Sequence, residues 1–151
     1  LLKNDDMIYI RRFKPDDIYA VINLAYTCLP ERYNPMIFNQ FYEAFPEGFL
    51  VAESHHKIIG FLVGVVTPEG GGRIVMLAVS DSYRSRGVGS SLLRCFIDEM
   101  KKKGLRVIHL ETRVTNKNAI EFYKKHGFSI VDRIKRFYQN GEDGYILEKR
   151  I

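Results

Sequence analysis

With 151 residues, 46% of them hydrophobic and 27% charged, the chain is sized and composed for one soluble globular domain around a single core. The formal charge of +5 comes from 23 basic residues scattered along the sequence, which disfavours a nucleic-acid reader and suits an acidic cofactor or substrate. Cys28 and Cys95 are isolated, giving neither a disulfide framework nor a zinc site, and the apolar runs fall far short of the roughly 20 residues of a membrane span.

The first strand is expected at residues 8–10, where Ile8 and Ile10 alternate with Tyr9. Pro15, Asp16 and Asp17 suit the opening turn of a helix that carries Ile18, Val21, Ile22 and Ala25 at helical spacing and runs to about Cys28. Pro30 and Pro35 bracket a turn. A short aromatic helix follows, with Ile37, Phe38, Phe41, Tyr42 and Phe45, whose rings read either as core or as the wall of a groove. Segments 49–53 and 58–66 form a hairpin across the polar turn Ser54-His55-His56-Lys57.

The glycines 70–72 lead into a fourth strand at 73–79. Beyond a loop, a helix over 88–103 sets Val88, Leu92, Leu93, Phe96, Ile97 and Met100 on one stripe, with Gly104 as its C-terminal cap and the basic run Lys101-Lys102-Lys103 where cations suit the dipole. The fifth strand, 107–113, has an apolar side with Ile108 and Leu110 and a polar side with His109, Glu111 and Arg113. Asn116 can cap a short helix ending near His126, before Gly127. Strands at 128–134 and 145–149 close the chain. Residues 1–6, ahead of Met7, read as a disordered or added extension without a role.

The informative segment is Arg84-Ser85-Arg86-Gly87-Val88-Gly89, between the fourth strand and the third helix. Unpaired amides and a partial positive charge collect at a helix N-terminus, so two cations there are unfavourable unless an anion joins them. Gly87 and Gly89 admit a bulky diphosphate to the backbone. The pattern is neither the P-loop nor the dinucleotide fingerprint, and an ordinary glycine-rich turn stands as the alternative.

That loop, preceded by Met76-Leu77-Ala78-Val79, resembles the Arg/Gln-x-x-Gly-x-Gly/Ala signature of the GNAT superfamily of acyl-coenzyme A dependent N-acyltransferases. Leu110-Glu111-Thr112-Arg113-Val114-Thr115-Asn116 with Ala119, Ile120, Phe122, Tyr123, Gly127 and Phe128 resembles the Leu-Glu-Val-Arg-x-Ser-Asn to Gly-Phe block of RimI-type and Ard1-type protein N-terminal acetyltransferases. Leu29-Pro30-Glu31-Arg32-Tyr33 resembles the Ard1-type Leu-Pro-Glu-Asn-Tyr turn. The run from Phe137 to Asp143 resembles that group's Tyr-Tyr-x-x-Gly-Glu-Asp hairpin. Arg73 stands where the Ard1 branch often has histidine, and Phe137 replaces the first hairpin tyrosine, so a histidine base and one hydroxyl contact are lost.

The resemblance implies an α/β (α+β) fold with a mixed, largely antiparallel sheet of about seven strands flanked by four helices, one domain over 1–151, and acetyl-CoA as co-substrate with no metal. The implied reaction is attack of a neutral amine on the thioester through a tetrahedral oxyanion. At pH 7 roughly a tenth to a fifth of an α-amine is neutral, against about one lysine in two thousand, so N-terminal amines need only a weak base.

The resemblance points to Glu111 or Glu31 as that base and to Tyr123 as the acid for the departing thiolate. It places the cofactor on Leu77, Ala78 and Val79, on the loop residues Arg84, Ser85, Arg86, Gly87, Val88, Gly89 and Ser90, and on Asn116 and Tyr123. Leu29, Pro30, Tyr33 and Tyr138 are the expected contacts to the peptide. His109 and His126 read as structural. The implied partners are protein or peptide N-termini, including ribosomal or nascent chains, in the cytoplasm. Small amines and protein lysines are the rival substrates, and a non-catalytic acyl-CoA binding module is the rival of another class.

Overall fold

The structure, a computed structural model, describes residues 7–151; the extension at 1–6 lies outside the described residues. The sequence patterns resolve into β1 (Tyr9–Arg12), α1 (Ile18–Cys28), α2 (Met36–Ala44), β2 (Phe49–Ser54), β3 (Lys57–Val66), β4 (Gly72–Val79), α3 (Val88–Lys102), β5 (Val107–Arg113), α4 (Lys117–Lys125), β6 (Ser129–Ile134) and β7 (Gly144–Arg150). The strands make one seven-stranded sheet in the order β1-β2-β3-β4-β5-β7-β6. Every neighbouring pair is antiparallel except β4 and β5, which α3 connects as a crossover. The mixed seven-stranded sheet with four helices is the fold expected from the resemblance.

Each face of the sheet carries its own core. Val88, Leu92, Leu93, Phe96 and Met100 of α3 are buried on one stripe against Leu62, Ile74, Ile108, Leu110 and Leu147, together with Tyr123 of α4. On the other face, Val21 and Ala25 of α1 and Phe38 of α2 pack on Phe49, Val51, Phe61 and Met76. Burying one such phenylalanine fully contributes roughly 1.5–3 kcal/mol. Phe13 stacks on Phe49 with ring centroids 4.1 Å apart, and Phe38 meets Phe61 edge-on at 6.2 Å. The aromatic residues of α2 are therefore core rather than groove wall, with Phe45 reaching the α3 side.

Two local features differ from the sequence reading. Residues Pro15–Asp17 form a separate 3-10 turn rather than the first turn of α1. Asp17 is buried there, and its carboxylate accepts from Arg11 Nη1 and Nη2 at 2.8 and 2.9 Å and from the Lys14 amide at 2.8 Å. Burial alone would raise its pKa, but those donors outweigh burial and hold it below the ordinary value. A second 3-10 turn, Asp81–Tyr83, intervenes between β4 and the glycine loop. His55 and His56 do form the hairpin turn, both in the left-handed region that two-residue hairpins demand. Among the described residues no helix is long and apolar enough to cross a membrane.

The feature that positions the site is a failure of pairing. Strands β4 and β5 pair only at Gly72 with Ile108 and Arg73 with His109, while β5 stays paired with β7 along its whole length. Past Arg73 the parallel strands separate. A wedge opens in the middle of the sheet, and the facing strand edges have no strand partner within it.

Candidate active site

The wedge is a cavity of about 310 Å³, walled by β4 from Arg73 to Leu77 and by β5 from Leu110 to Arg113. Asn116, Ala119 and Tyr123 close one side. Leu29, Pro30, Glu31 and Tyr33 from the α1–α2 loop and Phe137 and Tyr138 from the β6–β7 loop form its mouth. The structure thus gathers residues from both ends of the chain that sequence reasoning singled out separately: Leu29, Pro30, Glu31, Tyr33, Leu77, Glu111, Asn116, Tyr123 and Tyr138.

Glu111 is placed by strand alternation. Ile108, Leu110 and Thr112 turn into the α3–α4 core, so His109, Glu111 and Arg113 face the other way, half-buried. Arg73, directly across the last β4–β5 pair, donates from Nε at 3.0 Å and from Nη2 at 2.9 Å to the same oxygen, Glu111 Oε1. His109 Nε2 lies 3.4 Å from Oε2. The residue that departs from the Ard1-type pattern, Arg73, is therefore an ionic partner of one of the two candidate bases.

Glu31 is held in the same manner from the opposite side. Arg113 Nη2 donates to Glu31 Oε1 at 3.0 Å, while Nη1 donates to Asn140 Oδ1 at 2.9 Å and lies 3.6 Å from Glu142 Oε1. The guanidinium also sits 4.2 Å from the centroid of the Tyr138 ring. One side chain thereby ties β5 to both loops of the mouth. Sequence reasoning assigned Arg113 no function; its signal was its place on the polar side of β5, two residues beyond Glu111.

The β6–β7 loop is braced further, from the β5–α4 connection and from within. Thr115 Oγ1 donates to Glu142 Oε2 at 2.7 Å, Asn140 Nδ2 donates to Glu142 Oε1 at 3.0 Å, and the Arg136 amide donates to Asp143 Oδ1 at 3.0 Å. These donors hold both carboxyl groups below their ordinary pKa, led by Thr115 for Glu142 and by the Arg136 amide for Asp143. The loop presents Tyr138, whose phenol burial pushes up to about 12, with the Glu31 charge adding to the effect. Tyr33 moves in the same direction for the same two reasons. Both hydroxyls remain protonated near neutral pH and can donate.

On the other wall, Asn116 caps α4 by accepting the Ala119 amide at 3.2 Å. Tyr123 faces the cavity from the buried side of α4, edge-on to Phe122 and Phe128. Burial raises its phenol far above the ordinary tyrosine value. A phenol that cannot ionise near neutral pH is available as a proton donor. Thr112 is 95% buried, given its 5% exposure, and its Oγ1 has no hydrogen-bond partner.

The glycine loop lies outside the cavity lining, at the start of α3. Gly87 takes φ +81 as the N-cap, with open space where a Cβ would stand. Ser85 is also left-handed at φ 63. Gly89 lies against α4, where a Cβ would stand 3.4 Å from the Phe122 ring, an ordinary contact distance. Arg84 is paired with Asp81 at 2.9 Å. Arg86 lies 5.2 Å from the Tyr83 ring centroid. Ser90 Oγ is 2.8 Å from His126 Nε2, and burial, then the charges of Arg94, Lys125 and Lys149, hold that imidazole below its ordinary pKa. Of the β4 residues, Leu77 lines the wedge, whereas Ala78 is buried on the α1–α2 side. Among the described residues no group of three or more His, Cys, Asp or Glu side chains is placed to hold a metal.

Among the described residues the sheet has one parallel pair, β4 and β5, and the wedge opens where that pair parts. The chain belongs to the acetyltransferase (GNAT) family, whose model matches residues 18–128. It is 32% identical to an N-alpha-acetyltransferase of Sulfolobus acidocaldarius, over 91% of this chain and 89% of that protein. Its structure resembles Ard1 from Thermoplasma volcanium with a TM-score of 0.91 and 32% identity, covering 95% of this chain and 97% of that one. It likewise resembles Arabidopsis thaliana Naa50 in complex with the bisubstrate analogue CoA-Ac-MVNAL, with a TM-score of 0.84 and 28% identity over 95% and 99% of the two chains.

Proposed function

We propose that this chain, acting in the cytoplasm as one catalytic domain, transfers the acetyl group of acetyl-CoA to the N-terminal α-amine of proteins or peptides. The observation that carries the proposal is the two-loop mouth, Leu29 to Tyr33 facing Phe137 and Tyr138 across the wedge and braced by Arg113. A mouth built from tyrosine hydroxyls and apolar side chains suits the first residues of an extended peptide. The names of the relatives support the same reading.

The residues present fit an acyl-CoA. The unpartnered edges of β4 and β5 offer amides and carbonyls to a pantetheine chain, and the N-terminus of α3 from Arg84 to Ser90 offers amides and partial positive charge to a diphosphate. Asn116 and the backbone around Leu77 to Val79 are assigned to the pantetheine and thioester end. When bound, the cofactor supplies an acetyl thioester as electrophile. Glu111 or Glu31 takes a proton from the incoming amine, directly or through water, and Tyr123 supplies one to the leaving sulfur. Arg73, donating twice to Glu111 Oε1, fixes the orientation of that carboxylate.

The test is a competition. The protein is given acetyl-CoA, a short peptide with a free α-amine, and a panel of polyamines and aminoglycosides, with products read by mass spectrometry. The peptide is expected to take the label. Label on the small amines alone would make the chain a small-amine acetyltransferase of the same fold.

A further inference from the structure

We propose that the hydroxyl of Thr112 is a binding group for the sulfur end of the acyl donor, so that two hydroxyls, those of Thr112 and Tyr123, serve the sulfur rather than Tyr123 alone. The inference rests on the acetyl-CoA reading above and assigns one more residue of that site.

Thr112 Oγ1 is the buried side-chain polar atom of the described residues that lacks any hydrogen-bond partner. Leaving such a group unpaired is costly, and valine has the same shape without that cost. Valine is also what the resembled Leu-Glu-Val-Arg block carries at this position. A hydroxyl kept there in spite of its cost calls for a partner that arrives with a ligand.

The position fixes which part of the ligand. The β4–β5 pairing ends at Gly72 with Ile108 and Arg73 with His109, so Thr112, three residues further along β5, stands where the strands have already parted. Thr112 and Leu77, the residue whose backbone is assigned to the thioester, both line the wedge. It shares the buried face of β5 with Leu110, which packs in the same cluster as Tyr123. Both Thr112 and Tyr123 border the cavity. In the acyl donor the sulfur accepts a weak hydrogen bond; in the product thiolate it accepts a charge-assisted and stronger one.

The experiment measures binding by calorimetry for coenzyme A and for desulfo-coenzyme A, which lacks the sulfur, using the wild-type chain, Thr112→Val and Thr112→Ser, and follows thermal unfolding of each without ligand. Thr112→Val is expected to raise the unliganded midpoint by about 2–4 °C. It is expected to weaken coenzyme A about 2- to 12-fold while leaving desulfo-coenzyme A unchanged, and Thr112→Ser to keep wild-type affinity for both. Unchanged coenzyme A affinity in Thr112→Val, or an equal loss for both ligands, would overturn the proposal. Because the readout is binding, a wild-type chain that binds coenzyme A but acetylates no peptide would sink the proposed reaction and leave this comparison decisive.

Discussion

Arg113 and Glu31 meet at 3.0 Å although 82 residues of chain separate them, and the same guanidinium lies against the Tyr138 ring and donates to Asn140. The α1–α2 loop, β5 and the β6–β7 loop are joined through one side chain. A partly exposed ion pair of this kind is worth only about 0–1 kcal/mol of stability, so its consequence is geometric: it sets the width and shape of the mouth.

Replacing Arg113 should therefore cost function far more than folding. Lysine cannot donate from two nitrogens of a planar fork while stacking on a ring. Arg113→Lys is expected to raise the KM for peptide about tenfold while the thermal midpoint falls by less than about 4 °C. Steady-state kinetics beside a melting curve check this, and a large loss of stability with unchanged KM would place Arg113 in the scaffold instead.

The two carboxylates can be ranked by neutralising each. Loss of the principal base is expected to lower kcat about 10²- to 10⁴-fold, and loss of the other by roughly tenfold or less, with the Glu111→Gln and Glu31→Gln variants assayed side by side. Retention of near-wild-type kcat by both would remove general base catalysis by carboxylate from the account.

Tyr123→Phe separates proton donation from packing, since phenylalanine preserves the ring contacts to Phe122 and Phe128. A fall in kcat of about 10²-fold with coenzyme A affinity kept within about threefold is expected. The raised phenol also means that the wild-type rate shows no alkaline decline from Tyr123 between pH 7 and 10. A Tyr123→Phe variant as fast as wild type would refute the assignment.

Asp17 sits away from the wedge and predicts an acid-stability effect. Its folded pKa is depressed below the ordinary 3.8. Its stabilising contribution is therefore present above that value and is lost as pH falls through the folded pKa. Asp17→Asn should lower the midpoint at pH 7, and the gap between variant and wild type should close as pH is taken below about 3.8. A gap constant with pH would show that the Arg11–Asp17 contact contributes no linked protonation.

Much of this was readable from the chain. Strand alternation separated Glu111 from Leu110 correctly, the apolar stripe of α3 predicted its buried face, and Asn116 is the cap that its position implied. The residues that escaped are those whose partners lie far away in sequence. Arg113 and Arg73 look like ordinary strand cations until the sheet order brings Glu31 and Glu111 beside them. Asp17 looked like a residue favouring a helix N-terminus, because its pairing with Arg11 depends on how β1 enters the sheet. Local pattern carries local structure; long-range polar pairing has no period to reveal it.

Transfer to an α-amine at the wedge distinguishes this chain from a lysine or small-amine acetyltransferase. The most direct measurement uses one peptide with a free N-terminus and an internal lysine, and its twin blocked at the α-amine, each incubated with acetyl-CoA and the protein and sequenced by tandem mass spectrometry. A single acetyl group is expected on the first residue of the free peptide and none on the blocked twin. Acetylation of the lysine in the blocked twin at a comparable rate would contradict it.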